Sequence, residues 1–172
     1  KSTLVLRDVD VLQRLGRVAG ATVCFSVPTV DERAWRATEP GTPPPRQRLR
    51  ALERLVAAGV HAGVAMAPLL PGITAGEEQV AMTVRAAADH GARFLWTGLL
   101  HLDQGVRDHY LTFLRTAYPD LVSGYLRLYG GKYAPRPYAE RVQDRVERLR
   151  EAAGLGERYK PDAQRPEQLA LL

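Results

Sequence analysis

The sequence predicts an α/β protein: a partial (β/α) barrel with about four parallel strands, followed by C-terminal helices. Three observations carry this. Strand-like and helix-like segments alternate from residue 3 to residue 99, glycines stop the helices at Gly20, Gly59 and Gly91, and no strand-like segment follows. Alternation with short loops means parallel strands joined by right-handed crossovers.

Thr3 to Leu6 is a short apolar, β-branched run, and Asp8 after it suits the cap of a helix reaching Val18. Ala21 to Val27 is the second strand, closed by Pro28. A short helix from Asp31 to Ala37 precedes Glu39–Pro45, where three consecutive prolines impose a rigid loop. Leu49, Leu52, Leu55 and Val56 recur at three- and four-residue spacing, which is one face of a helix over 46–58. Val60 to Ala67 is the third strand, and Glu77 to Asp89 is helical, with Val80 and Val84 inward. Arg93 to Leu99 is the fourth strand. Val106–Tyr118, Leu121–Tyr129 and Pro137–Ala153 read as helices. The expected organisation is the C-terminal half of a partial barrel over 1–103, a helical extension over 104–153, and a loose polar tail over 154–172.

The 172 residues are 45% hydrophobic and 25% charged, which suits a packed core and excludes wholesale disorder. No apolar run approaches the ~18 residues of a membrane span, and no basic-then-apolar leader opens the chain. With one cysteine, Cys24, this composition predicts a cytoplasmic protein that makes no internal disulfide. The net charge of +5 raises nucleic acid as a partner. Yet in the densest basic stretch, 136–151, five arginines face four acids, which reads as an ion-paired helix surface.

Four segments carry a family resemblance. They are Lys1-Ser2 with Arg7-Asp8; Phe25-Ser26-Val27-Pro28-Thr29; Thr38-Glu39-Pro40-Gly41-Thr42 with Arg46 and Arg48-Leu49; and Ala67-Pro68-Leu69-Leu70-Pro71-Gly72. In this order they resemble the radical S-adenosylmethionine superfamily, and within it the spore photoproduct lyase-like subgroup. The resemblance implies the C-terminal part of an enzyme that cleaves S-adenosylmethionine reductively and abstracts hydrogen. It also implies a [4Fe–4S] cluster in a longer parent. The cluster motif, CxxxCxxC, is absent, so this chain alone is expected to be inactive, with the N-terminal part of the barrel lying upstream of Lys1.

Residue by residue, the resemblance places Ser26 and Lys1 toward bound S-adenosylmethionine, the lysine as a point charge for its carboxylate. It places the main chain of Ala67 and Pro68 against the adenine. Arg48, like Arg46, could meet a cofactor carboxylate through its guanidinium fork, or could pair with Glu39 and lock the proline-rich loop. The catalytic residues are not legible and no metal-ligand set is present. Cys24 reads as a small strand residue, and His101 with Asp103 as a surface or capping group. Trp35, Trp96 and the tyrosines Tyr118, Tyr125, Tyr129, Tyr133 and Tyr138 read as core rather than as a base-stacking platform. Two other readings stand beside the first: an unrelated barrel enzyme fragment using Glu39, Arg48 and His101, and a non-catalytic module that contacts nucleic acid or protein.

Overall fold

The computed structural model describes residues 1–155. Its centre is a parallel sheet of β1 (Thr22–Ser26), β2 (His61–Leu69) and β3 (Leu95–Leu99), in that spatial order. Thr22 pairs with His61 and Ser26 with Ala65; across the other side of β2, Val64 pairs with Leu95 and Met66 with Thr97. The register shifts between Met66 and Leu69, where Pro68 has no N–H to give the ladder.

This open sheet corrects the partial-barrel expectation. There are three strands rather than four, and β1 and β3 are both edges among the described residues. The missing strand is Thr3–Leu6, which lies in a 3-10 helix, Leu4–Asp8. The Ser2 hydroxyl accepts from the Leu4 N–H, and the Thr3 carbonyl from the Leu6 N–H. β-Branched residues favour a strand only where a neighbouring ladder is on offer; here the backbone satisfies itself locally, and Val5 and Leu6 still turn toward the core.

Among the described residues there are seven α-helices: α1 (Val9–Val18), α2 (Glu32–Thr38), α3 (Pro45–Ala57) and α4 (Glu77–Asp89) between or before the strands, then α5 (Gln104–Ala117), α6 (Val122–Leu128) and α7 (Arg136–Ala152) after the last one, as expected. The last of the three prolines, Pro45, opens α3, at the one helical position where a missing N–H costs nothing. A second 3-10 turn, Pro119–Leu121, leads into α6. None of these helices is long and apolar enough to cross a membrane.

Two apolar clusters organise the molecule. In the first, Phe25, Val64, Met66 and Leu95 of the sheet pack against Leu52 and Leu55 of α3, Val80 and Val84 of α4, and Val142 and Val146 of α7. Leu52 and Leu55 are fully buried, and truncating either to alanine removes about 2–5 kcal/mol. The second cluster lies beyond the C-terminal ends of the strands. There Leu70, Ile73, Leu100 and Leu102 meet Leu111 and Leu114 of α5, Tyr125 of α6 and Tyr129 just after it. The helices after residue 103 are therefore divided: α5 and α6 build the second cluster, while α7 returns to the first. Leu155 is buried in that first core, so the expected loose tail does not begin at 154; its remainder lies outside the described residues.

The opposite face of the sheet carries Thr22, Cys24 and Ser26 on β1, Ala65 and Ala67 on β2, and Trp96 and Gly98 on β3. Parallel sheets are ordinarily covered on both faces. Here Trp96 is 51% exposed, which corrects the core assignment made for it; Tyr133, at 67%, is likewise on the surface.

Candidate functional site

A cleft of about 390 Å³ opens at the C-terminal ends of the strands. Pro28 follows β1, Pro68 lies near the end of β2, Leu70 just past it, and Leu100 follows β3. Ala37 to Pro40 close one side, and His109, Tyr110 and Phe113 of α5 close the other. Ligands of open parallel sheets bind outside the carboxyl ends of the strands. A larger hollow, about 500 Å³, sits at the opposite end among Gln13, Arg17, Gly20 and Gly59, where α1 and α3 finish. The strand direction favours the first as the site.

The proline-rich loop beside the cleft is held by a network around Arg48, which has no exposed surface. Its Nε donates to the Pro43 carbonyl at 2.8 Å, one terminal nitrogen donates to the Ser26 carbonyl at 2.8 Å, and the other donates to the Thr42 hydroxyl at 2.6 Å. The nitrogen that meets Ser26 also pairs with Glu39 Oε2 at 2.7 Å. Thr42 in turn accepts from the Trp35 indole at 3.1 Å and donates to the Glu39 carbonyl at 2.7 Å. Glu39 lines the cleft, and its Oε1 pairs with the Lys1 ammonium. The carboxylate is thus fixed from below by a buried cation and capped from above by a half-exposed one. Asp31 sets the position of α2 by accepting from the Ala34 N–H at 2.6 Å, and Thr29 accepts from the Asp31 N–H at 3.0 Å.

Of the residues expected at the site, Lys1 and Pro68 line the cleft. Ala67 precedes Pro68 through a cis peptide bond. Ser26 contributes its carbonyl to Arg48, while its side chain lies on the uncovered face of the sheet. Arg48 acts on the cleft through Glu39; the pairing alternative is the one the geometry realises. Arg46 is exposed. The α5 wall was not read from the sequence. His109, Tyr110 and Phe113 are spaced as one helical face, which is also the signature of ordinary packing.

The α5 wall carries the most perturbed groups of the site. The Tyr110 and Tyr125 hydroxyls are 3.0 Å apart, and the Tyr125 hydroxyl donates to the Pro71 carbonyl at 2.8 Å. Burial pushes Tyr110 up to about 12, and pushes Tyr125 and Tyr129 up as well. Tyr129 donates to the Leu100 carbonyl at 2.8 Å, which ties α6 to the end of β3.

His101 is exposed and forms an isolated bridge with Tyr133. Nearby, Lys132 bonds Asp103 at 2.8 Å, and this pairing holds the Asp103 carboxyl below the usual range. Cys24 lies on the uncovered face, and partial burial raises its thiol. No group of three or more His, Cys, Asp or Glu residues is arranged to hold a metal ion among the described residues. A [4Fe–4S] cluster needs three or more cysteine thiolates; Cys24 is the one cysteine in the chain, so these residues do not fit that group.

No protein-family model matches the chain, and no solved structure matches it significantly. It is similar to uncharacterized proteins of Mycobacterium bovis and Mycobacterium tuberculosis, 33% identical over 147 residues. That alignment covers 85% of this chain and 43% of each relative. A protein of Acidianus two-tailed virus is 30% identical over 117 residues, covering 66% of this chain and 38% of its own length. The chain therefore spans well under half the length of the curated relatives it matches, and its similarity is to a segment of longer proteins.

Proposed function

We propose that this chain is the S-adenosylmethionine-binding part of a longer radical S-adenosylmethionine enzyme, with the adenosyl group in the cleft at the ends of the strands. One observation carries the reading. Each of the four sequence segments that bear the resemblance supplies a residue to that one cleft: Lys1, Pro28, Thr38 to Pro40, and Pro68 with Leu70. Its volume lies within the ~300–1,000 Å³ typical of small-molecule sites. Flat apolar surfaces from Phe113, Pro28 and Pro68 suit a purine, and an anchored carboxylate suits a hydroxyl or amine of the ligand.

In this reading a [4Fe–4S] cluster would be held by cysteines outside this chain and would supply the electron for reductive cleavage. The same polypeptide, extended as the mycobacterial relatives are, would cover the free face of the sheet in a cytoplasmic protein. The substrate is left open by this reading, nucleic acid included.

Calorimetric titration of the chain with S-adenosylmethionine tests it. Saturable one-to-one binding is expected, weakened roughly fivefold by Phe113→Ala through loss of ring contact. An absence of heat, with no shift of the melting curve at millimolar ligand, would remove the cleft as an adenosyl site.

A further inference from the structure

Tyr125 has one hydroxyl proton and two neighbours that compete for it: the Pro71 carbonyl and the Tyr110 hydroxyl. A carbonyl can only accept. Pro71 and Tyr125 are both buried, and leaving the carbonyl without a donor would cost the desolvation of that group. The Tyr125 proton is therefore committed to Pro71, and Tyr125 can meet Tyr110 only through its oxygen. Tyr110 must then be the donor of the 3.0 Å contact between the two rings. Its own proton is consumed facing inward, and its remaining lone pairs can only accept.

Tyr110 lines the cleft beside Phe113 and opposite Pro28 and Pro40. Two further polar side chains of the lining are oriented as acceptors: Glu39 is a carboxylate, and the Thr38 hydroxyl has given its proton to the Ala34 carbonyl, while the half-exposed Lys1 ammonium is held on Glu39. Glu39 already has Arg48 and Lys1 as partners, so the acceptor left for a ligand's donor on this wall is Tyr110.

We propose that Tyr110 is a specificity-determining acceptor, set by the Tyr125–Pro71 relay, and that it selects planar heterocycles bearing an amino group over those that lack one. The inference rests on the adenosyl reading of the cleft and goes beyond it by assigning the atom that reads the ring. Tyr110 takes no part in bond making. Its role is to hold one lone pair where an exocyclic N–H arrives.

The test compares adenosine with purine riboside, which lacks the 6-amino group, by titration into the wild-type chain, Tyr110→Phe and Tyr125→Phe, with thermal melts as a folding control. Wild type should prefer adenosine by about fivefold, the value of one neutral hydrogen bond. Tyr110→Phe should lose that preference while keeping its affinity for purine riboside. Tyr125→Phe, which does not line the cleft, should narrow the preference because the Tyr110 proton is released to turn outward. Equal affinity of wild type for the two nucleosides would overturn the proposal and leave the adenosyl reading standing. So would a Tyr110→Phe protein that weakens toward both equally, since that would report lost ring packing. Failure of both nucleosides to bind wild type would overturn both readings.

Discussion

Arg48 reaches Glu39 at 2.7 Å from the interior, and spends its other donors on carbonyl and hydroxyl groups of three further residues. A buried ion pair of this kind offers little net stability over an apolar pair, but removal of one partner strands the other. The pair fixes geometry: it ties the start of α3 to the end of β1 and presents a carboxylate to the cleft in one orientation.

Arg48→Ala should therefore destabilise the fold by about 3–5 kcal/mol, because Glu39 keeps only its half-exposed Lys1 partner. Arg48→Lys should recover little, since a single ammonium cannot span the Ser26, Pro43 and Thr42 contacts. Urea denaturation of the variants measures both. Near wild-type stability of Arg48→Ala would show that the loop is held by its prolines alone.

Gly63 of β2 faces Phe94 so closely that an added Cβ would lie 2.4 Å from the Phe94 carbonyl oxygen and 2.7 Å from its ring. Since backbone cannot yield as a side chain can, Gly63→Ala should cost roughly 3 kcal/mol or more. A melting temperature within a degree or two of wild type would mean that β2 and β3 slide apart more easily than their pairing suggests.

The tyrosine cluster should make the protein sensitive to alkali. Tyr110 ionises near 12 in the folded chain, against about 10 when unfolded. The folded state then binds more protons than the unfolded one across that interval. Stability is intact below pH ~10 and falls as pH rises toward the folded value. Absorbance at the phenolate band, followed beside circular dichroism, should show these tyrosines ionising together with unfolding. Their titration ahead of unfolding, near the ordinary value, would contradict the burial.

Asp103 and Lys132 shift in opposite directions through one exposed bond. The depressed carboxyl contributes stability above its unfolded value of about 3.9, lost as pH falls through the folded value. The raised ammonium contributes below about 10.4, lost as pH rises through its folded value. Asp103→Asn should lower the melting temperature slightly at neutral pH and leave it unchanged in acid. A difference independent of pH would assign the effect to the cap that Asp103 gives the Gln104 N–H.

The strand–helix alternation was legible because glycine stops and apolar periodicity are local signals. The helices from α1 to α7 fall within a few residues of their expected limits for the same reason. Thr3–Leu6 was not legible as a 3-10 turn, since nothing in four residues says whether a ladder partner exists. At the site, Glu39 and Arg48 could be paired from sequence because a rigid loop of prolines brings their ends together. The α5 wall could not: Tyr110 and Phe113 have the spacing of any packed helix, and only the return of α6 beneath them makes one a polar relay. Trp96 misled in the same way, because whether a strand's second face is covered is a property of the whole assembly.

The path of α7 sets an order on folding. Val142 and Val146 complete the same core as Phe25 and Val64, with all of α5 and α6 between them in the chain. Contacts of such long sequence separation are slow to close. During synthesis the sheet would emerge with one side of its core unfilled until α7 follows it. The α5–α6 pair, built from neighbours in sequence, can assemble on the strand ends earlier. A chain stopped before Val142 would thus leave the sheet core open on the side that Val142 and Val146 fill.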